Sequence, residues 1–151
     1  MKWSLARRAS MCGVGAEANP AGTFSMFAAH TGSSFSATEV AQALDRGAQV
    51  SGTLTVPIVT LADLVRKEWG PANPDFLSID VEGWDEAIVL QTDWQAVRPA
   101  VICVETREYR DDASGRRITS IAEKLLSEGY GLAGLTYYNS IFADRSRMAY
   151  P

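Results

Sequence analysis

Hydrophobic and polar positions fall into two regimes along the chain. From residue 1 to about residue 50, apolar side chains are scattered among Ala, Gly and Ser with weak periodicity; from about residue 52, short apolar runs alternate with segments of helical spacing. Thr53-Leu-Thr-Val-Pro-Ile-Val-Thr60 has strand composition, and Pro57 predicts an edge or a bulge there because proline donates nothing to a ladder. Thr60 is placed to cap a helix with Asp63 in its first turn and Leu61, Leu64 and Val65 facing the core. Gly70-Pro-Ala-Asn-Pro74 is a dense turn signal.

Phe76 to Val81 then reads as a strand covered on both faces, with Leu77, Ile79 and Val81 supplying apolar, partly β-branched filling, followed by a helix around residues 84 to 91. Arg98-Pro-Ala-Val-Ile-Cys-Val-Glu105-Thr106 is a second apolar strand ending on an acid. Ile118, Ile121, Ala122, Leu125 and Leu126 share one helical face, which Gly129 terminates. Tyr130 to Tyr138 and Asn139 to Ala143 read as two final strands joined around Tyr138-Asn139-Ser140. Strands alternating with helices predict an α/β sandwich on a mostly parallel sheet, and the closing strand pair predicts an antiparallel C-terminal edge.

Composition narrows the classes of partner. The 151 residues suffice for one domain with a core, the weakly patterned residues 1–50 leading into an α/β core over 51–145. A formal net charge of -4 argues against a phosphate-backbone binder, so no nucleic acid is expected. Cys12 and Cys103 are too few for a disulfide framework or a thiolate metal site, and Cys103, within an apolar run, is expected in the core. No stretch approaches the roughly 20 apolar residues of a membrane span, and no signal-type apolar run follows Lys2, Arg7 and Arg8. No membrane partner is expected, and the default location is the cytoplasm. His30, the sole histidine, falls in the weakly patterned part and reads as a loop residue.

The candidate chemistry lies where the first apolar strand stops. Open α/β sheets keep their ligands beyond the carboxyl ends of parallel strands, and Asp80 and Glu82 stand at such an end. Gly83 permits an unusual backbone turn, and Asp85 and Glu86 then match the dipole of the following helix. Glu105 ends the next strand in the same manner. Three carboxylates from neighbouring strand ends are also hard-cation ligands, so a magnesium-dependent enzyme is one alternative reading.

In order, Val56-Pro-Ile-Val-Thr60-Leu61-Ala-Asp-Leu64, Asp75 to Glu86, Arg98 to Glu105, Glu128-Gly-Tyr130 and Asn139-Ser-Ile-Phe142 resemble the successive signatures of the FkbM-type S-adenosylmethionine-dependent methyltransferases. Ser33-Ser34-Phe35 resembles the serine-rich segment that precedes them. The family's lysine before the I-D-V-E-G core is Ser78 here, while the acid second after the glycine is present as Asp85.

The resemblance implies a class I, Rossmann-like sandwich and an S-adenosylmethionine cofactor, with a small molecule or a glycan as methyl acceptor. It places Asp80, Glu82 and Glu105 in catalytic roles and Ser34, Asp80, Gly83 and Trp84 on the cofactor side, with no resident metal. Gly13-Val-Gly15-Ala-Glu-Ala18 formally fits G-x-G-x-x-A, but neither a buried strand before it nor a helix after it is legible. These residues read instead as the family's third strand, with a Pro20-Ala-Gly22 turn leading to Thr23 to Phe27. The expectation is therefore a partial domain that begins after the first two strands. Its unpaired sheet edge would invite pairing between copies or a rearrangement of residues 1 to 20. The rival reading is a truncated, non-catalytic fragment or assembly module.

Overall fold

A computed structural model describes residues 11–28, 33–107 and 115–148. The expectations that concern Lys2, Arg7, Arg8 and His30 lie outside those residues. Eleven elements follow in order: β1 (Gly13–Gly15), β2 (Asn19–Phe27), α1 (Ala37–Asp45), β3 (Val50–Thr60), α2 (Leu61–Trp69), β4 (Phe76–Ile79), α3 (Asp85–Gln91), β5 (Val101–Glu105), α4 (Thr119–Ser127), β6 (Tyr130–Leu135) and β7 (Asn139–Asp144).

The strands form two mixed sheets, ordered β1-β3-β2 and β4-β5-β7-β6. β1 and β3 run parallel, as do β4 and β5, whereas β2·β3, β5·β7 and β6·β7 are antiparallel. The antiparallel C-terminal edge is as predicted; the single, mostly parallel sheet is not. Among the described residues no strand lies between β1 and β4, so each ends its own sheet with one edge unpaired.

Local chemistry accounts for most boundaries. Thr60 accepts from the Asp63 backbone N–H at 3.1 Å and donates to the Asp63 carboxylate at 2.8 Å, the reciprocal cap that starts α2. Pro57 sits in β3, the central strand of its sheet rather than an edge, and the accommodation is a register shift in β2 between Asn19 and Gly22. Pro20 to Gly22 accordingly belong to β2 and make no turn. No helix is predicted above for α1, although Ser36-Ala-Thr-Glu39 has the capping-box form and Ser36 accepts from the Glu39 N–H at 3.4 Å.

One core joins the layers. Ile79, Ile102, Val104 and Phe142 from the second sheet pack with Leu61 and Val65 of α2, Ile88 and Val89 of α3, and Ile121 and Leu125 of α4. Burial alternates along β4 and β5: Ile79, Ile102 and Val104 face the core, while Phe76, Ser78, Val101 and Cys103 on the opposite face are exposed or half-buried. β4 is therefore covered on one face, not two, and Cys103 lies outside the core. The exposed Ser78 already signals this period-two pattern.

The far end of the second sheet is fastened by ions. Arg98 grips Asp144 through two hydrogen bonds of 3.0 and 2.8 Å and donates to the Glu128 carbonyl at 2.6 Å, with its guanidinium 4.5 Å from the Tyr130 ring centroid. This pair holds the Asp144 carboxyl down at about 2. Glu128-Gly-Tyr130 thus serves structure at the end of the sheet remote from Asp80.

Candidate functional site

β4 ends at Ile79, and the chain then passes through Asp80, Val81, Glu82 and Gly83 before α3 begins. Glu82 has φ 50° and Gly83 φ 97°, so two consecutive residues adopt the left-handed region. For glycine this is inexpensive; for glutamate it is an uncommon conformation that the surroundings must enforce. They do so from two sides. Ser34, 1% exposed, donates through Oγ to the Glu82 carbonyl at 2.7 Å and accepts from the Ser36 N–H at 2.9 Å. Asp85, 5% exposed in the first turn of α3, accepts from the Val81 N–H at 3.4 Å. A Cβ on Gly83 would fall 2.5 Å from Glu39 Cγ, so α1 lies directly against the turn.

The turn delivers its acids to the same rim as Glu105. Asp80 and Glu82 are exposed and Glu105 is half-buried at the end of β5. Thr106, immediately beyond, is fixed by a 2.6 Å contact with the Ser140 hydroxyl and a 2.7 Å hydrogen bond from Arg117.

Burial first, and then the charges of Asp85, Asp80, Glu82 and Glu39, push the Glu105 carboxyl up to about 7. Glu82 is also raised, by partial burial and then by Asp80, Asp85 and Glu39. Asp85 is raised by burial despite hydrogen bonds from the backbone of its own turn, which act in the opposite direction.

Asp80, Glu82 and Glu105, the three acids singled out in the sequence, are brought within electrostatic reach of one another. Among the described residues, however, no group of three or more His, Cys, Asp or Glu is arranged to hold a metal ion, and the magnesium reading loses its geometric support. Gly83 belongs to the turn itself. Trp84 follows it, its ring stacked on Phe35 with centroids 5.5 Å apart and planes at 22°.

Ser34 is beside the acids too, but its hydroxyl proton is engaged by the Glu82 carbonyl. Asp85 and Glu39 are members of the charge cluster that sequence reasoning did not assign. Position in a first helical turn gave no sign that Asp85 is buried, and Glu39 arrives from a helix more than forty residues upstream.

A cavity of about 410 Å³ opens on the other side of Trp84, between residues 15–19 and the Trp84, Ala87 and Gln91 face of α3. Gly15 allows β1 to approach there, since a Cβ would lie 3.2 Å from the Trp84 ring. The acids do not line this cavity; only Trp84, next to Gly83, adjoins both features. Gly13-Val-Gly15 forms strand β1, with no helix following it before β2, and so is not a phosphate-type glycine loop.

Exposed carboxylates that form no ion pair among the described residues repel phosphates and attract a cationic, hydroxyl-bearing molecule. A sulfonium cofactor with a ribose and an ammonium group suits that donor set. No helix among the described residues is long and apolar enough to cross a membrane.

A family model, the methyltransferase FkbM domain, matches residues 7–132 of the chain. Comparison with curated proteins gives no match, and comparison with solved structures gives none either.

Proposed function

Since the chain belongs to the methyltransferase FkbM domain family, we propose that it serves S-adenosylmethionine-dependent transfer of a methyl group to a hydroxyl of a small molecule or glycan, on a class I, Rossmann-like frame. The observation that carries this reading is the gathering of Asp80, Glu82 and Glu105 at the ends of the parallel strands β4 and β5. When bound, the cofactor supplies an electrophilic methyl carbon on a sulfonium sulfur, open to in-line displacement.

The chain's own residues hold and deprotonate. Asp80 and Glu82, exposed at the rim, would hold the cationic cofactor through its hydroxyl and ammonium groups. Gly83 lets the backbone come close, and Trp84 flanks the site. Glu105, whose carboxyl is pushed up to about 7, is suited to take the proton of the acceptor hydroxyl as its oxygen bonds to carbon. Its affinity for a proton is close to neutral pH, where a general base works best.

The test is transfer of a labelled methyl group to a panel of polyhydroxylated acceptors across pH. The rate should rise through pH ~7 as Glu105 loses its proton, and Glu105→Gln should lower it by roughly 10²-fold or more. A rate indifferent to both would sink the assignment.

A second reading, a non-catalytic binding or assembly module, is favoured by two observations: Gly13–Gly15 is a strand, and among the described residues no strand pairs with the outer edge of β4 beside the acids. Cofactor binding without any methyl transfer, or no cofactor binding by folded protein, would select it.

A further inference from the structure

The segment 34–39 closes on the acid turn from a distant part of the chain, and its contacts are specific. Ser34 is 1% exposed and makes two hydrogen bonds, giving its proton to the Glu82 carbonyl at 2.7 Å and receiving the Ser36 N–H at 2.9 Å. The carbonyl it holds belongs to the one non-glycine residue with positive φ among the described residues. Ser36, 8% exposed, caps α1, and α1 in turn presses Glu39 against Gly83. Glutamate does not remain in the left-handed region without such enforcement, because its Cβ crowds the following carbonyl. Phe35, between the two serines, stacks on Trp84 and keeps the segment in register with the start of α3.

We infer that Ser34 is a positioning residue for this site: acting through the Glu82 carbonyl, it holds Glu82 and Gly83 in their left-handed turn and so keeps the Glu82 carboxylate in the rim with Asp80 and Glu105. A side chain without a donor at position 34 leaves the part-buried Glu82 carbonyl without this partner, and the turn relaxes toward an ordinary backbone that carries the Glu82 carboxylate away from the rim. The functional weight of this inference rests on the acid rim being the working site. Its test does not read methyl transfer, so the failure of one is distinguishable from the failure of the other.

The charged groups that face Glu82 are Asp80 on its own loop, Asp85 on α3 and Glu39 on α1, with Glu105 sharing the rim from β5. Carbon-detected NMR of the side-chain carboxyls reports the ionisation midpoints of Glu82 and Glu105 in the full chain. Ser34→Ala should bring the Glu82 midpoint down toward the ordinary glutamate range, as the carboxyl leaves its partly desolvated position and its acidic neighbours.

Ser34→Cys retains nearly the same volume with a much weaker donor, and gives the same direction if the alanine variant does not fold. Ser34→Thr, which keeps the hydroxyl, should preserve the native midpoint. Ser36→Ala removes only a helix cap; it should lower stability while leaving Glu82 nearer its native midpoint than Ser34→Ala does. Folded Ser34→Ala or Ser34→Cys protein with native Glu82 and Glu105 midpoints would overturn the inference, as would a Ser34→Ala effect no larger than that of Ser36→Ala.

Discussion

Ser34 and Glu82 are 48 residues apart in sequence, yet the Ser34 hydroxyl donates to the Glu82 carbonyl across 2.7 Å. This single bond ties the weakly patterned first part of the chain to the acid turn after β4. It explains why a turn with two left-handed residues keeps one shape.

Replacing Gly83 by alanine tests how rigid that arrangement is. The new Cβ would meet Glu39 Cγ at 2.5 Å, at a φ of 97° that alanine disfavours. A loss of about 1–3 kcal/mol is expected from urea denaturation. An unchanged transition midpoint would mean that α1 and the turn separate freely.

Glu105 makes stability depend on pH in the direction opposite to that of most carboxylates. Its folded pKa, about 7, exceeds the ordinary glutamate value of 4.5, so the folded state binds this proton more tightly than the unfolded chain. The associated stability is fully present below pH ~4.5 and is lost as pH rises through ~7. Glu105→Gln should therefore stabilise the protein above pH ~7, by ~1–2 kcal/mol once the half-exposed position is discounted for solvent screening. Thermal melts at pH ~5 and ~8 provide the comparison, and an equal effect of the substitution at both would contradict the shift.

Asp144 behaves in the usual sense. Arg98 holds its carboxyl at about 2, below the ordinary aspartate value of 3.8, so its contribution is present above pH ~3.8 and disappears as pH falls through ~2. Asp144→Asn leaves Arg98, whose side chain is 20% exposed, without its anion and should cost ~2–4 kcal/mol in chemical denaturation at neutral pH. Methyl transfer, if measured on the folded variant, should be little changed, because this pair lies at the opposite end of the sheet from the acids.

Among the described residues no strand pairs with the outer edge of β4, which bears Phe76, 59% exposed, at its start. Unpaired strand edges pair readily with other chains, and we expect copies of the protein to associate through β4. Sedimentation should show a concentration-dependent shift beyond the monomer, weakened by Phe76→Lys. A monomer at every accessible concentration would count against association through this edge.

The second half of the chain is largely legible in sequence because its elements bury a regular stripe. Thr60 with Asp63, the apolar pattern of Ile121 and Leu125, and Gly129 with φ 88° each state a local boundary that the structure retains. The first part is less legible for a physical reason. β2 places only Gly22 and Phe27 in buried positions, so the β2–β3 ribbon carries little alternation to read.

The strand count and order are also long-range properties: nothing local in Gly13-Val-Gly15 shows that it pairs with Ile58 to Thr60. Asp80 and Glu105 are legible as candidates because they stand at strand ends, and Glu82 because it lies in the turn just beyond one. The burial of Asp85, the approach of Glu39 and the bond from Ser34 depend on packing between distant segments. They become apparent only when the segments are seen together.

The most direct measurement of the acid rim as a cofactor site is calorimetric titration of the folded chain with S-adenosylmethionine. The expected result is saturable binding at one site, weakened at least ~10-fold by Asp80→Asn combined with Glu82→Gln and unaffected by Asp144→Asn, since the rim charges attract the cationic ligand. The absence of any binding at millimolar cofactor, or binding that ignores the loss of both acids, would contradict it.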